Sequence, residues 1–341
     1  MPLRKQRNKN EQHVGGSDMY RFSRRQGVLA GIGVGLAAPS VRAQPAWPSR
    51  PVRIVVPYAP GGGTDVTNRA IAEALGRELG QPFVVENRAG ANGIIGAEAV
   101  ARSQPDGYSF VAPNGTHAML RHITPQLPFD PIADFTPVAM LASYCFVLVC
   151  PANSAFRDVR GVIDRAREKP GDLAQGTADV ASGYVASRFS RAAGVEMTEV
   201  RYSGSGASVG DLTGGHLPMA WFSTATAMTL LPGGSIRALA VTSPRRSTFL
   251  PDTPSLSELG VGEASYTGWF GLFGPAKLPD AITTRLNTAV NAVVQSPSVQ
   301  ERLKTLAVET YITTPAEMAS VVAEDDQRWA QAIKDGTLRR S

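Results

Sequence analysis

The sequence predicts an α/β protein built as two lobes with a ligand cleft between them. Three observations carry this. Strand-like and helix-like segments alternate along the chain, the pattern of a layered α/β fold. The region that follows a basic N-terminal leader is about 300 residues long, more than one core comfortably holds. Within it, Val138–Cys150 is apolar and long enough to run from one lobe into the next.

The elements follow in order. Val52–Val56 reads as a strand. Val66–Leu79 reads as a helix, with Val66, Ala70, Ile71, Ala74, Leu75 and Leu79 on one face and Gly80 as its C-cap. Phe83–Val85 is a second strand, Ile94–Ala101 a second helix closed by Pro105, and Ser109–Ala112 a third strand. After the long Val138–Cys150 strand comes a second α/β set. It has helices near Val159–Arg167 and Val185–Ala193, a strand at Met197–Tyr202, a helix from about Ser208, and strands around Met219–Phe222 and Ile236–Val241. Pro244–Pro254 is a surface loop. Beyond Tyr266–Phe273 the end is helical, and its last helix opens on Thr314-Pro315-Ala316-Glu317, a capping box with proline at the first helical position.

Charge separates the leader from the rest. The chain holds 34 basic and 29 acidic side chains. Residues 1–43 account for eight of the former (Arg4, Lys5, Arg7, Lys9, Arg21, Arg24, Arg25, Arg42) and two of the latter (Glu11, Asp18). The remaining 26 and 27 leave a net charge of −1, so the basicity gives no support to a nucleic-acid partner. The leader has the parts of a twin-arginine export signal: Arg24-Arg25, an apolar run from Val28 to Ala38, and Val41-Arg42-Ala43 as a cleavage site. Met19 is an alternative start, and the general export route remains open. The apolar run is too short to span a bilayer. A soluble periplasmic protein beginning at Gln44 is expected.

The most informative segment is Tyr58-Ala59-Pro60-Gly61-Gly62-Gly63-Thr64-Asp65, set between a strand and an amphipathic helix. Successive glycines bring bare N–H groups up to a ligand, and the following helix adds its positive end, so the segment suits an anion. It lacks the lysine of a phosphate-binding P-loop; an ordinary glycine-rich turn is the plain alternative. Enzyme and metal readings are weaker. Gly206-Ala207-Ser208-Val209-Gly210 has the spacing of a nucleophile elbow, but the last histidine, His216, lies only eight residues on, too near to complete a triad. Beyond the leader the histidines are His117, His122 and His216, without metal-ligand spacing. No cofactor is expected. Cys145 and Cys150 lie on one strand, about 16 Å apart, too far to bridge.

Several segments together resemble the tripartite tricarboxylate transporter receptors, also called Bug receptors. They are Val55–Asp65, Gln81–Gly90, Pro105-Asp106-Gly107-Tyr108, Arg237–Thr242 and Phe270–Pro275, in order over residues 48–335. The resemblance implies a type II periplasmic-binding-protein fold, with lobe 1 from residues 44–143 and 266–341 and lobe 2 from 144–265. It implies an extracytoplasmic receptor that captures a small carboxylate for integral-membrane transporter subunits, a monomer and not an enzyme. An orphan receptor for sensing or scavenging is the alternative, and a hydrolase a distant third. The ligand residues it implies are Tyr58, Gly61, Gly62, Gly63, Thr64, Asp65, Asn114, Thr116, Ser182, Tyr184, Tyr202, Ser203 and Phe222. Gly183 and Phe222 depart from the family pattern, in which a histidine and an aspartate are expected. With Phe222 in the cleft, an apolar acid is expected to bind better than aspartate, glutamate or citrate; the alternative is that Phe222 points into the core of lobe 2.

Overall fold

The computed structural model describes residues 47–338 apart from 62, 203 and 204. The export signal and the calls on Gly62 and Ser203 therefore lie outside the described residues.

The first strands are β1 (Val52–Val56), β2 (Phe83–Asn87) and β3 (Ser109–Val111), which pair in parallel with β1 at the centre. Helices α1 (Gly63–Leu79), α2 (Ile94–Ala101) and α3 (Thr116–Ile123) follow them in turn. Next comes β4 (Phe135–Pro151), longer at both ends than its apolar run suggests. β9 (Thr267–Pro275) returns antiparallel between β3 and β4, and the two-residue β10 (Glu309–Thr310) covers the other edge of β4. These strands make one sheet, in the order β2-β1-β3-β9-β4-β10.

β4 then enters a second sheet. Phe135–Cys145 pairs with β9, whereas Phe146–Val149 pairs with β7 (Ala220–Ser223) and Val147–Pro151 with β8 (Ile236–Val241). Beyond β7 lie β5 (Ala174–Thr177) and β6 (Thr198–Arg201), both parallel to it. The helices of this part are α4 (Val159–Glu168), α5 (Val180–Ala193), α6 (Ser205–Thr213) and α7 (Thr224–Leu230). The chain ends in α8 (Asp280–Val294), α9 (Pro297–Thr305) and α10 (Pro315–Lys334).

Alternation along β4 distributes the core. Cys145, Val147 and Val149 face one buried cluster with Phe222, Leu212 and Ile236. Phe146 and Leu148 face another with Tyr184, Phe189, Trp221 and Trp329, as the two-residue period of a strand requires. Both cysteines are buried and free. His117 is buried among Phe129, Phe135 and Phe273, and burial pushes its pKa down to about 4. It is a structural residue, away from any cleft.

α10 packs on both sheets' helices. It lies along α3, while Trp329 meets Tyr184 of α5 edge-on at 4.8 Å and Arg191 reaches the Asp335 carbonyl at 3.0 Å. Its start is the capping box read from sequence: the Glu317 N–H donates to Thr314 Oγ1 at 3.2 Å and the Thr314 N–H to Glu317 Oε2 at 2.7 Å. Thr314→Ala should lower unfolding free energy by about 1 kcal/mol. Urea unfolding should show the change in midpoint with an unaltered slope, and an unchanged midpoint would mean the cap contributes nothing.

Candidate functional site

In α/β sheets the strand-to-helix turns at the carboxyl ends of the strands gather ligand-binding groups. Here the turns after β1 and β3 in one sheet, and after β5, β6 and β7 in the other, contain most of the residues singled out above.

The turn after β1 is braced from within. Gly61 has φ +85°, a left-handed conformation that a β-branched residue adopts only under strain. Its N–H donates to Asp65 Oδ2 at 2.8 Å. Asp65 is 3% exposed; it also accepts from Arg69 Nε at 3.1 Å and from Asn87 Nδ2 at 2.9 Å. Burial works to raise the Asp65 pKa, but these donors win and hold it below the ordinary 3.8. The expectation that Asp65 meets the ligand is corrected: its carboxylate is consumed in tying the glycine turn to α1 and β2. Thr64 is likewise buried, and its carbonyl accepts from Asn68. Gly63 opens α1 itself, so the helix begins three residues earlier than its apolar periodicity shows.

Three predicted residues come together in one network. Tyr58 Oη donates to Asn114 Oδ1 at 2.7 Å and lies 3.1 Å from Thr116 Oγ1. The Thr116 N–H and hydroxyl also donate to Asn114 Oδ1, at 3.0 and 2.5 Å. This joins the β1 turn to the start of α3. Burial lifts the Tyr58 hydroxyl to about 12, and the Asp179 carboxylate across from it adds to the effect.

Tyr144 and Phe270 come from β4 and β9, the two strands that link the lobes. Their rings stack with centroids 5.0 Å apart. A Cβ on Gly268 would sit 2.3 Å from the Tyr144 ring, so glycine is what lets that ring lie flat on β9. A Cβ on Gly63 would stand 3.4 Å from Phe270, which places the glycine turn beside that ring.

The second lobe departs from expectation. Residues 180–184 form the first turns of α5 rather than a loop. Asp179 is the N-cap, accepting from the Ser182 N–H at 2.7 Å, and Ser182 Oγ accepts from the Asp179 N–H at 3.0 Å. Ser182 is fully buried in that box. Tyr184 is buried against Tyr266 and Trp329. Tyr202 Oη donates to Asp211 Oδ2 at 2.8 Å. Phe222 does not line a cleft: it is 1% exposed in the cluster with Cys145, Val147 and Leu212. The physical reason is that β7 is covered on both faces, with Trp221 turned to Phe189 and Gln175 and Phe222 to the opposite side. The rationale for an apolar acid over aspartate or citrate falls with it. Ser208 is fully buried inside α6, which removes the nucleophile-elbow geometry.

Sequence reasoning missed Asp179. It is exposed at the head of α5, yet enough protein surrounds the carboxyl that burial raises its pKa, against the Ser182 N–H and hydroxyl that lower it. The signal for it was present as an Asp three residues before a Ser. Among the described residues no group of three or more His, Cys, Asp or Glu could hold a metal, and no helix is long and apolar enough to cross a membrane.

The family model of the tripartite tricarboxylate transporter family receptor matches residues 67–338. A UPF0065 protein from the tcbD–tcbE intergenic region of Pseudomonas sp. (strain P51) is 36% identical, covering 94% of this chain and 97% of that protein. An R. palustris protein solved with adipate is 33% identical with a TM-score of 0.78, over 86% of this chain and 100% of that one. MatC from Rhodopseudomonas palustris, solved with bound malate, is 30% identical with a TM-score of 0.72, over 83% and 99%. The two-lobed architecture is thus the periplasmic-binding-protein fold.

Proposed function

The chain belongs to the tripartite tricarboxylate transporter receptor family, and from that premise we propose that it is an exported receptor whose cleft captures a small organic carboxylate for integral-membrane transporter subunits. The cluster at the carboxyl ends of β1 and β3 supports this most. A glycine turn held by an internal carboxylate heads a 17-residue helix beside the Tyr58–Asn114–Thr116 network. The helix end behind that turn favours negative charge. Asp65 acts as the brace, Tyr58, Gly61, Gly63, Asn114 and Thr116 face the ligand, and Tyr144 and Phe270 support its carbon chain. Lobe 2 closes over it with the Asp179 end of α5 and the Tyr202 turn. The lobes are assigned as 44–143 with 266–341 and as 144–265. α10 bridges them.

The relatives solved with adipate and malate make dicarboxylates the first ligands to test. In a thermal-shift screen, ligand at 100 times Kd should stabilise the protein by about 2.7 kcal/mol, or about 5–11 °C at about 2–4 °C per kcal/mol. No shift with any carboxylic acid would overturn the reading. A receptor also leaves its ligand unchanged, so p-nitrophenyl esters should show no turnover above a heat-denatured control. Export should leave Gln44 as the N-terminus. Edman sequencing of the periplasmic product checks this, and an uncleaved cytoplasmic chain would contradict it.

A further inference from the structure

A cavity of about 300 Å³ lies at the linking strands, at the small end of the range for ligand pockets. Ser143, Tyr144 and Cys145 of β4 and Thr267 of β9 line it. None of Tyr58, Asn114 and Thr116 borders it. One wall, Ala307 and Glu309, belongs to the first sheet's edge. The other, Thr224 and the loop 243–247, belongs to the second lobe.

Three side chains in these walls have unused polar capacity. Thr224 is 1% exposed, and its Oγ1 has no hydrogen-bond partner, although a buried hydroxyl left unpaired costs about 1–3 kcal/mol. Arg246 is held by Glu258 at 2.9 Å, whereas Arg245 makes no ion pair with a described residue. Glu309 receives the Thr248 N–H at 3.1 Å, the Thr248 hydroxyl at 3.0 Å and Ser247 Oγ at 3.5 Å, all on Oε1, which leaves Oε2 for another donor. A cavity this small with one unpaired cation, one anion and one buried hydroxyl matches a ligand that carries both charges.

We propose that this cavity is a second binding site, for a small zwitterion of α-amino-acid size, with its carboxylate on Arg245, its ammonium on Glu309 and a polar atom on Thr224. An isolated anion would meet Glu309 at close quarters, and an isolated cation would meet Arg245. Because the walls come from both lobes, the occupant's contacts change as the lobes move. Binding here is therefore coupled to closure of the cleft, and reciprocally so.

The test uses the mature protein and its Gly61→Val variant, titrated by calorimetry with L-alanine, propionate and ethylamine, with amide chemical shifts locating the binding. L-Alanine should bind both proteins at least tenfold more tightly than either single-charge analogue. It should shift the amides of Ser243, Arg245, Arg246, Ser247 and Thr267 rather than those of the non-proline residues of 58–65. Arg245→Ala, and Glu309→Gln, which keeps an oxygen for Thr248, should each weaken it at least tenfold. Propionate binding as well as alanine would overturn the ligand class. Absence of alanine binding, shifts confined to the 58–65 turn, or variants that bind like wild type would overturn the site.

Discussion

Replacing Phe222 with aspartate is expected to unfold the second lobe rather than retune a ligand preference. The ring is fully enclosed by Cys145, Val147, Leu212 and Leu217. Truncating a buried phenylalanine costs about 3–5 kcal/mol, and an unpaired carboxylate in the same place costs several more. Total stability is about 5–15 kcal/mol, so the variant should lose its cooperative thermal transition in circular dichroism or melt at least 10 °C lower, on the scale of about 2–4 °C per kcal/mol. Phe222→Leu, which keeps an apolar side chain, should fold and bind ligand as wild type does. A well-folded Phe222→Asp protein with altered ligand preference would return Phe222 to the cleft.

Asp65→Ala is the second large effect, because one carboxylate holds together a turn, a helix and a neighbouring strand. Removing it strands the Gly61 N–H, the Asn87 amide and the Arg69 guanidinium. Arg69 is 50% exposed, so its ion pair contributes little by itself; the hydrogen bonds to the carboxylate dominate, at about 1.5–3 kcal/mol each before water replaces them. We expect a stability loss of about 2–3 kcal/mol and, because the glycine turn is no longer held, at least a hundredfold loss of carboxylate affinity. The pH dependence has a definite sign. The folded pKa lies below the ordinary 3.8, so the contribution is complete above the unfolded value and is lost as pH falls through the folded one. Wild type and Asp65→Ala should therefore converge in stability only at pH values below the ordinary 3.8, as the Asp65 carboxylate becomes protonated. Parallel urea curves at pH 7 and at acid pH measure this. A gap that persists at acid pH would show that charge is not the cause.

Much of the frame was legible in the chain. Val138–Cys150 announced a strand too long and too apolar for one lobe, and β4 does pair in two sheets. Thr314–Glu317 gave a helix start to the residue, since capping boxes are local. The site was legible only where its chemistry is local too. The glycine turn was found, but the inward use of Asp65 depends on Asn87, 22 residues away. The α5 start was placed too late, near Val185, because the resemblance implied a ligand loop over 177–184, whereas the Asp179–Ser182 box begins the helix at Val180. Phe222 was misplaced because period-two alternation says that Trp221 and Phe222 face opposite ways, not which way is the cleft, and both faces of β7 are covered. Tyr144 and Phe270 meet across 126 residues of sequence, a pairing that no periodicity encodes.

The central claim is that a carboxylate sits on the turn after β1. Calorimetric titration of the mature protein and of Gly61→Val with adipate and malate tests it most directly. At Gly61 the φ of +85° forbids an unstrained branched side chain, while no atom lies within 4 Å of an added Cβ, so the variant should fold. The expected result is saturable one-to-one binding of at least one acid by the wild type, weakened a hundredfold or more in the variant. Equal affinity in the two proteins would contradict the account.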